Sequence, residues 1–122
     1  MQTRKQTRYG DAELAEFRTI IEAKLAEARG QLNFYLNGLA EQTNSEDGRK
    51  RGLDDGTHTS VADELQNQAN RQRKLIQHLE YALMRIDNKV YGICRVTGEL
   101  IAPERLRLVP HTTLSIAAKQ QR

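Results

Sequence analysis

The stretch that decides the fold is residues 91–118, which read YGICRVTGELIAPERLRLVPHTTLSIAA. Four positions in it have the spacing C-x2-C-x17-C-x2-C of a four-cysteine zinc site, in which each pair supplies two thiolates to one tetrahedral ion. The residues at these positions are Cys94, Thr97, Ser115 and Ala118. Because three of the four are not cysteine, the sequence predicts a degenerate zinc-finger-like knob with no metal and no other cofactor. The hydroxyls of Thr97 and Ser115 are expected to form a hydrogen bond across the former site.

Two seams of apolar residues precede the knob. The first has spacings of 3 or 4 and predicts a helix of about 28 residues, roughly 42 Å long. Its members are Leu14, Phe17, Ile21, Leu25, Ala28, Leu32, Tyr35 and Leu39. The second seam has the same character and a similar length, and it includes Val61, Leu65, Ala69, Gln72, Ile76, Leu79, Leu83, Ile86 and Val90. Two amphipathic helices of equal length predict an antiparallel hairpin.

The predicted fold is therefore all-α, an antiparallel coiled-coil helical hairpin followed by a small C-terminal degenerate zinc-finger-like knob. Residues 1–9 are predicted to be a disordered basic tail. The hairpin is expected over 10–90, with a tip loop at about 42–60, and the knob with a short last helix over 91–122. A segment of about 30 residues is marginally stable alone, so we expect the knob to dock on the open end of the hairpin.

Three local details follow from this interpretation. The knob is expected to pack near Leu14, Phe17 and Ile86. The second helix is expected to start at a cap near Thr59 or Ser60. The last helix is expected to be capped by Thr112 or Thr113.

Composition limits the class of protein. The chain has 122 residues, 29% of them charged, no tryptophan and a net charge of +3. Its one cysteine excludes an intramolecular disulfide, and it contains neither a membrane-length apolar run nor the apolar segment of a secretory signal. It also has no glycine-rich phosphate loop, no HExxH motif and no convincing nucleophile–base set. These observations predict a soluble cytoplasmic protein that is not an enzyme.

Eight residues of the knob match in register the pattern Y-G-x-C-x-x-C-G-x-x-I-x-x-x-R-L-x-x-x-P. They are Tyr91, Gly92, Cys94, Gly98, Ile101, Arg105, Leu106 and Pro110. In this pattern, and in the run over 71–86 of the second helix, the chain resembles the DksA/TraR family of bacterial transcription regulators. The resemblance covers about residues 62–118 and is weaker earlier in the chain.

The resemblance implies a regulator that binds RNA polymerase directly through its secondary channel. In the family, acidic residues at the hairpin tip reach toward the catalytic magnesium region, where carboxylates can perturb bound Mg²⁺ or basic loops. An ungapped register puts Asp54 at the second tip aspartate and Arg51 at the first, with Asp55 adjoining. Asp63 is a further candidate. The alternative is that Asp54, Asp55 and Gly56 simply form a turn.

A basic group on the second helix consists of Arg71, Arg73 and Lys74. The resemblance implies that this group contacts the polymerase, and the alternative is an exposed helical face. Two side chains associated with the family's site for the alarmone ppGpp correspond to His78 and Val109. Valine cannot pair with a phosphate, and histidine does so only when protonated or through one donor. Binding of ppGpp is therefore not expected to carry over.

The rival hypothesis is a coiled-coil interaction adaptor or homodimer without polymerase activity. A monomer is favoured over a homodimer. A third hypothesis, binding to DNA, rests only on the basic ends of the chain. No sequence-specific DNA binding and no membrane association are expected.

Overall fold

The structure is a computed structural model that describes residues 7–44 and 55–120, with side chains described over 7–42 and 60–120. Its helices are α1 (Asp11–Asn44), α2 (Asp55–Asp87), α3 (Pro103–Leu108) and α4 (Ile116–Gln120). The β pairing recorded in this part of the chain is an isolated antiparallel bridge between Ile93 and Leu100. The predicted all-α fold class is therefore confirmed.

The long helices extend further than the sequence predicts. Helix α1 continues to Asn44, and α2 already begins at Asp55, so the cap expected at Thr59 or Ser60 is wrong. The sequence failed to predict these helical ends because it has many turn-forming residues between 42 and 60. Glycine and small polar residues lower helix propensity, but they do not exclude a helix. Over 7–44 and 55–120, no helix is long and apolar enough to cross a membrane.

The chain divides into two compact units. The first combines Met1–Leu25 with His78–Arg122, and the second is Ala26–Gln77. The boundary expected between the hairpin and the knob, at residue 91, therefore falls inside the first unit. The knob belongs to the same unit as the first turns of α1 and the last turns of α2.

Half of a capping box starts α1. The Gly10 N–H donates to Glu13 Oε1 at 2.8 Å, and the Gly10 carbonyl accepts from the Leu14 N–H at 2.9 Å. This arrangement satisfies a backbone donor that would otherwise lack a partner at the helix start. Asp11 lies in the first turn, where a negative charge is favourable. A hydrogen bond from Lys89 lowers the pKa of its carboxyl group.

A Schellman motif ends α2. The Val90 N–H donates to the Arg85 carbonyl at 2.9 Å, and the Lys89 N–H donates to the Ile86 carbonyl at 3.0 Å. Lys89 has a φ of 63°, the left-handed conformation that glycine usually adopts at this position. Its Nζ lies 2.8 Å from Asp11 Oδ1. The termination expected at Asn88–Lys89 thus directs the chain into the knob beside the start of α1.

The core of the first unit is organised around three aromatic rings. Phe17 contacts Tyr9 edge-on, with ring centroids 5.4 Å apart, and Tyr91 at 5.3 Å. All three are buried, and such pairs stabilise by about 0.5–1.5 kcal/mol beyond the area they bury. The surrounding buried side chains are Leu14, Ile21, Leu25, Leu79, Ala82, Ile86, Ile101, Leu106 and Leu114. The contact between Phe17 and Tyr91 confirms the expected docking of the knob at Phe17.

The predicted disordered tail is wrong at its last residue. Tyr9 is buried, and its hydroxyl donates to the carbonyl of Ile101, 92 residues further along the chain. Burial raises the pKa of Tyr9, and Glu13 and Glu104 raise it further, so the phenol stays protonated and can donate. Residues 1–6 of the predicted tail lie outside the described residues. Although this segment is basic, it contains one aromatic residue, Tyr9, that packs in the core.

The second unit shows the predicted seam with weaker burial. Ala28 and Ala69 are buried. Leu65 packs against Gly38, where an added Cβ would lie 3.3 Å from Leu65 Cδ1. This contact joins α1 and α2, as expected for the hairpin.

Gly92 allows the Tyr9 ring to approach the backbone closely. Its φ is 80°, and a Cβ at this position would lie 2.6 Å from Tyr9 Cε2 and 3.2 Å from Leu106 Cδ1. Gly98 has a similar φ of 74°, but an added Cβ would meet nothing within 4 Å.

We therefore expect Gly92→Ala to lower the free energy of unfolding more than Gly98→Ala. The control, Gly98→Ala, should lower the free energy of unfolding by only about 1–3 kcal/mol, which is the cost of holding an alanine in the left-handed conformation. Gly92→Ala adds the displacement of the Tyr9 ring to that strain. Urea unfolding followed by circular dichroism measures both variants. Equal losses would show that Tyr9 does not pack on Gly92.

Candidate functional site

A tight turn over residues 92–101 presents the first pair of knob positions. The Ile101 N–H donates to the Gly92 carbonyl at 2.7 Å, and the Cys94 N–H donates to the Glu99 carbonyl at 2.8 Å. The Gly98 N–H closes the turn on the Cys94 carbonyl at 2.8 Å. The positive φ of Gly98 explains why the sequence needs glycine there. The turn holds Cys94 in the interior, where its side chain is buried.

The second pair of positions approaches Cys94 from the start of α4. The Ser115 N–H donates to Cys94 Sγ at 3.4 Å, and Ser115 Oγ accepts from the Ala118 N–H at 3.1 Å. Ser115 is therefore the cap of α4. The cap expected at Thr112 or Thr113 is wrong, because the Thr112 hydroxyl instead bonds to the backbone of Leu114.

The sulfur of Cys94 accepts several hydrogen bonds. Burial raises the pKa of the thiol, but bonds from the Thr97 hydroxyl and from the backbone of Ser115, Thr97 and Val96 outweigh burial and lower it to about 6. Thr97 Oγ1 also accepts from the Glu99 N–H at 3.2 Å. The predicted hydrogen bond between the Thr97 and Ser115 hydroxyls is therefore wrong. The Thr97 hydroxyl bonds to the Cys94 sulfur, whereas Ser115 reaches that sulfur through its backbone N–H and uses its hydroxyl to cap α4.

Two long side chains complete the polar framework of the knob. Arg105 Nε donates to the Leu114 carbonyl at 2.8 Å, and its Nη2 donates to Thr112 Oγ1 at 3.3 Å. The Tyr91 hydroxyl donates to the Pro110 carbonyl at 2.8 Å. Burial raises the pKa of Tyr91, which keeps this donor protonated. Backbone carbonyls in the irregular segment after α3 thereby gain partners without a sheet or a long helix.

The predicted tip residues are only partly described. Asp54 lies outside the described residues, and Asp55 is the first residue of α2, with a side chain that is not described. Asp63 is exposed on α2. Their roles stay predictions.

The predicted basic group is exposed on α2. Arg71 and Lys74 line one shallow surface cleft together with Glu64, Asn67 and Asn70. Arg73 Nη1 donates to Asn70 Oδ1 at 3.0 Å. The three cations are therefore accessible to a partner, and one carboxylate shares the cleft. Their contact with polymerase stays a prediction.

Sequence reasoning missed Tyr9 and the partners of Arg105. The one available signal for Tyr9 was an aromatic residue just before a helix start in a polar segment. The Arg105 contacts carried no periodic signal, because they join a helix to an irregular stretch.

Comparison with known proteins shows which proteins this chain resembles. Residues 89–122 match the model of the prokaryotic dksA/traR C4-type zinc finger. The RNA polymerase-binding transcription factor DksA of Caulobacter vibrioides is 42% identical over 52 residues, which are 43% of this chain and 37% of that protein. DksA of Escherichia coli strain K12 is 29% identical over 110 residues, 89% of this chain and 70% of the relative.

A solved structure extends the likeness to the fold. Transcription factor DksA2 of Pseudomonas aeruginosa matches with a TM-score of 0.81 and 26% identity, over 90% of this chain and 82% of that one. The fold and the knob thus define a helical-hairpin protein with a C-terminal module of the zinc-finger type. The resemblance to the DksA/TraR family that the signature predicted is therefore confirmed.

The prediction that the protein has no cofactor is contradicted by this match, because the matching model is that of a C4-type zinc finger. The side chains at the four positions do not themselves fit a four-thiolate site. They offer one thiol and two hydroxyls, and Ala118 offers no side-chain ligand. Residues 7–44 and 55–120 contain no cluster of three or more histidine, cysteine or acidic side chains placed to hold a metal. The function proposed below therefore uses no step at zinc.

We expect Arg105→Lys to lower the free energy of unfolding by about 1–3 kcal/mol, because lysine cannot reproduce the fork that reaches Leu114 and Thr112. Arg107→Lys is the matched control. Arg107 is exposed and makes one surface ion pair with Glu16 at 3.6 Å, so its change should be within about 0.5 kcal/mol. Chemical unfolding measures both, and similar effects would show that the Arg105 contacts contribute nothing specific.

Proposed function

We propose that this protein is a non-enzymatic regulator of bacterial transcription that binds RNA polymerase directly. The observation that carries the proposal is the match to DksA2, which spans most of both chains at a TM-score of 0.81. Its relatives in Caulobacter and Escherichia coli are RNA polymerase-binding transcription factors by name. The matched segment is 37% of the Caulobacter protein. The activity of that whole protein is therefore proposed for this chain by similarity.

The proposed mechanism uses the hairpin as a probe of the secondary channel. Helices of 34 and 33 residues flank the segment that holds Asp54. Carboxylates delivered to a site that contains Mg²⁺ alter its local charge, since the ion is the largest charge there. Asp54 and Asp55 are the proposed acting residues at the tip, and the exposed Asp63 supports them from α2.

The basic group would make the outer contact. Arg71, Arg73 and Lys74 are exposed on α2, in the second compact unit. Exposed cations increase the rate at which a protein associates with an acidic partner surface, and at low salt they increase the affinity between the two proteins. These residues therefore suit a polymerase surface rich in carboxylates, and promoter DNA is not the proposed target.

Replacement of the tip carboxylates should separate binding from regulation. We expect Asp54→Asn/Asp55→Asn to retain affinity for bacterial core RNA polymerase and to lose the effect on transcription, because the change removes charge at the proposed acting end alone. Binding is measured by fluorescence anisotropy, and transcription is measured in vitro with purified polymerase.

The matched control is Glu27→Gln, which removes an exposed carboxylate from α1 away from the tip segment. It should retain both binding and regulation. If the wild-type protein shows no binding at micromolar concentration, the polymerase proposal is wrong, and the adaptor or homodimer hypothesis replaces it. Light scattering then decides between those two states.

Neutralising the basic group should act on binding instead. We expect Arg71→Gln/Arg73→Gln/Lys74→Gln to weaken binding to core polymerase about tenfold or more at low salt and less at high salt, because ions screen exposed charges. The control Lys119→Gln removes an exposed cation from α4 and should change affinity little. Equal affinity of wild type and triple variant at low salt would exclude this surface from the interface.

A further inference from the structure

The ring of His111 has an unusual environment in the first unit. It stacks on the ring of His78 from α2, with centroids 5.6 Å apart and planes inclined by 20°. Arg85 Nη2, also from α2, donates to the His111 carbonyl at 3.4 Å. The Nδ1 atom of His111 is buried and has no hydrogen-bond partner among the described residues.

The charged groups that act on this ring are all cationic. His78 and Arg85 approach from α2, and Lys24 approaches from α1. Tyr91, which holds the adjacent Pro110 carbonyl, is neutral. A proton added to the ring would therefore meet repulsion from two helices, and at Nδ1 it would create a buried donor with no acceptor.

We propose that His111 makes the packing of the 109–113 segment on α2 sensitive to pH, with the neutral ring holding the contact and the protonated ring loosening it. The proposed event is the binding of a proton to the His111 ring, because the buried Nδ1 atom is not accessible to larger solutes. The inference does not depend on the proposed function, since it concerns the isolated chain.

The sign of the effect follows from linkage. Burial lowers the pKa of His111, and His78, Arg85 and Lys24 lower it further. The unfolded chain, with an ordinary histidine pKa of about 6.5, then binds more protons than the folded chain in the interval below that value. The stabilisation is therefore complete above about pH 6.5 and is lost as the pH falls through the interval down to the folded pKa.

Two measurements on the full chain test this. The first is an NMR titration of the histidine Cε1–H resonances, assigned with His58→Gln, His78→Gln and His111→Gln. The His111 resonance should titrate below about 6.5 and should move toward that value in His78→Gln, which removes one neighbouring cation. The second is the thermal unfolding midpoint at about pH 7.5 and about pH 5.5, a range in which histidine changes charge.

The wild-type midpoint should fall by several degrees over this range, and that of His111→Gln should fall by clearly less. His58→Gln is the matched control, since it removes the third histidine of the sequence, which is neither of the two stacked rings, and it should behave as wild type. Should His111→Gln fail to fold, the smaller fall in His78→Gln and the wild-type titration still decide. A His111 resonance that titrates at or above about 6.5, or a fall in both variants as large as in wild type, would overturn the proposal.

Discussion

The packing of Phe17 between two tyrosines is the constraint on which the first unit depends. Tyr9 reaches this ring from the segment before α1, and Tyr91 reaches it from the segment after α2. Each tyrosine also donates its hydroxyl to a knob carbonyl, at Ile101 and Pro110. The same side chains therefore exclude water from the hairpin end and satisfy backbone groups that lack secondary structure. Gly92 must lack a Cβ because the Tyr9 ring occupies that space.

The knob has little regular structure, so its order comes from polar contacts across long sequence separations. A six-residue helix and a five-residue helix cannot be stable alone. Arg105 links the first of these helices to Leu114. The sulfur of Cys94 links the turn over 92–101 to Ser115, and the Arg95 N–H reaches the Thr113 carbonyl at 2.9 Å. Loss of the Arg105 or the Cys94 link would leave a part-buried polar group without its partner, which costs more than the bond itself contributes.

Periodicity predicted the helices well because burial repeats along them. Leu14, Phe17 and Ile21 are buried as the first seam requires. The second seam shifts in detail, since Ala82 is buried where Leu83 was expected, because alanine permits close helix approach that a hydropathy pattern does not record. Tyr9 was missed because its hydroxyl bonds to Ile101, 92 residues further along the chain, and its ring lies against Gly92. Single-sequence patterns carry no information on such distant pairs. The site at Cys94 was located by spacing alone, whereas its donors are mostly backbone groups and so leave no trace in residue types.

The residues that match the family signature are those that build the knob, so the match reports on how the knob folds and not on what the protein does. Tyr91, Gly92, Ile101 and Leu106 are buried, and Arg105 bonds within the knob, so the signature reports a way of folding about thirty residues. The family model accordingly matches 89–122 and reaches neither α2, which ends at Asp87, nor the segment that holds Asp54. The same knob is compatible with a tip that acts on polymerase and with one that does not, because no contact described for Cys94 or Arg105 involves a tip residue. The proposed function therefore rests on the tip carboxylates and on the basic face of α2. The sequence departs from the family pattern at Arg51, and in the proposal charge, rather than packing, carries the effect.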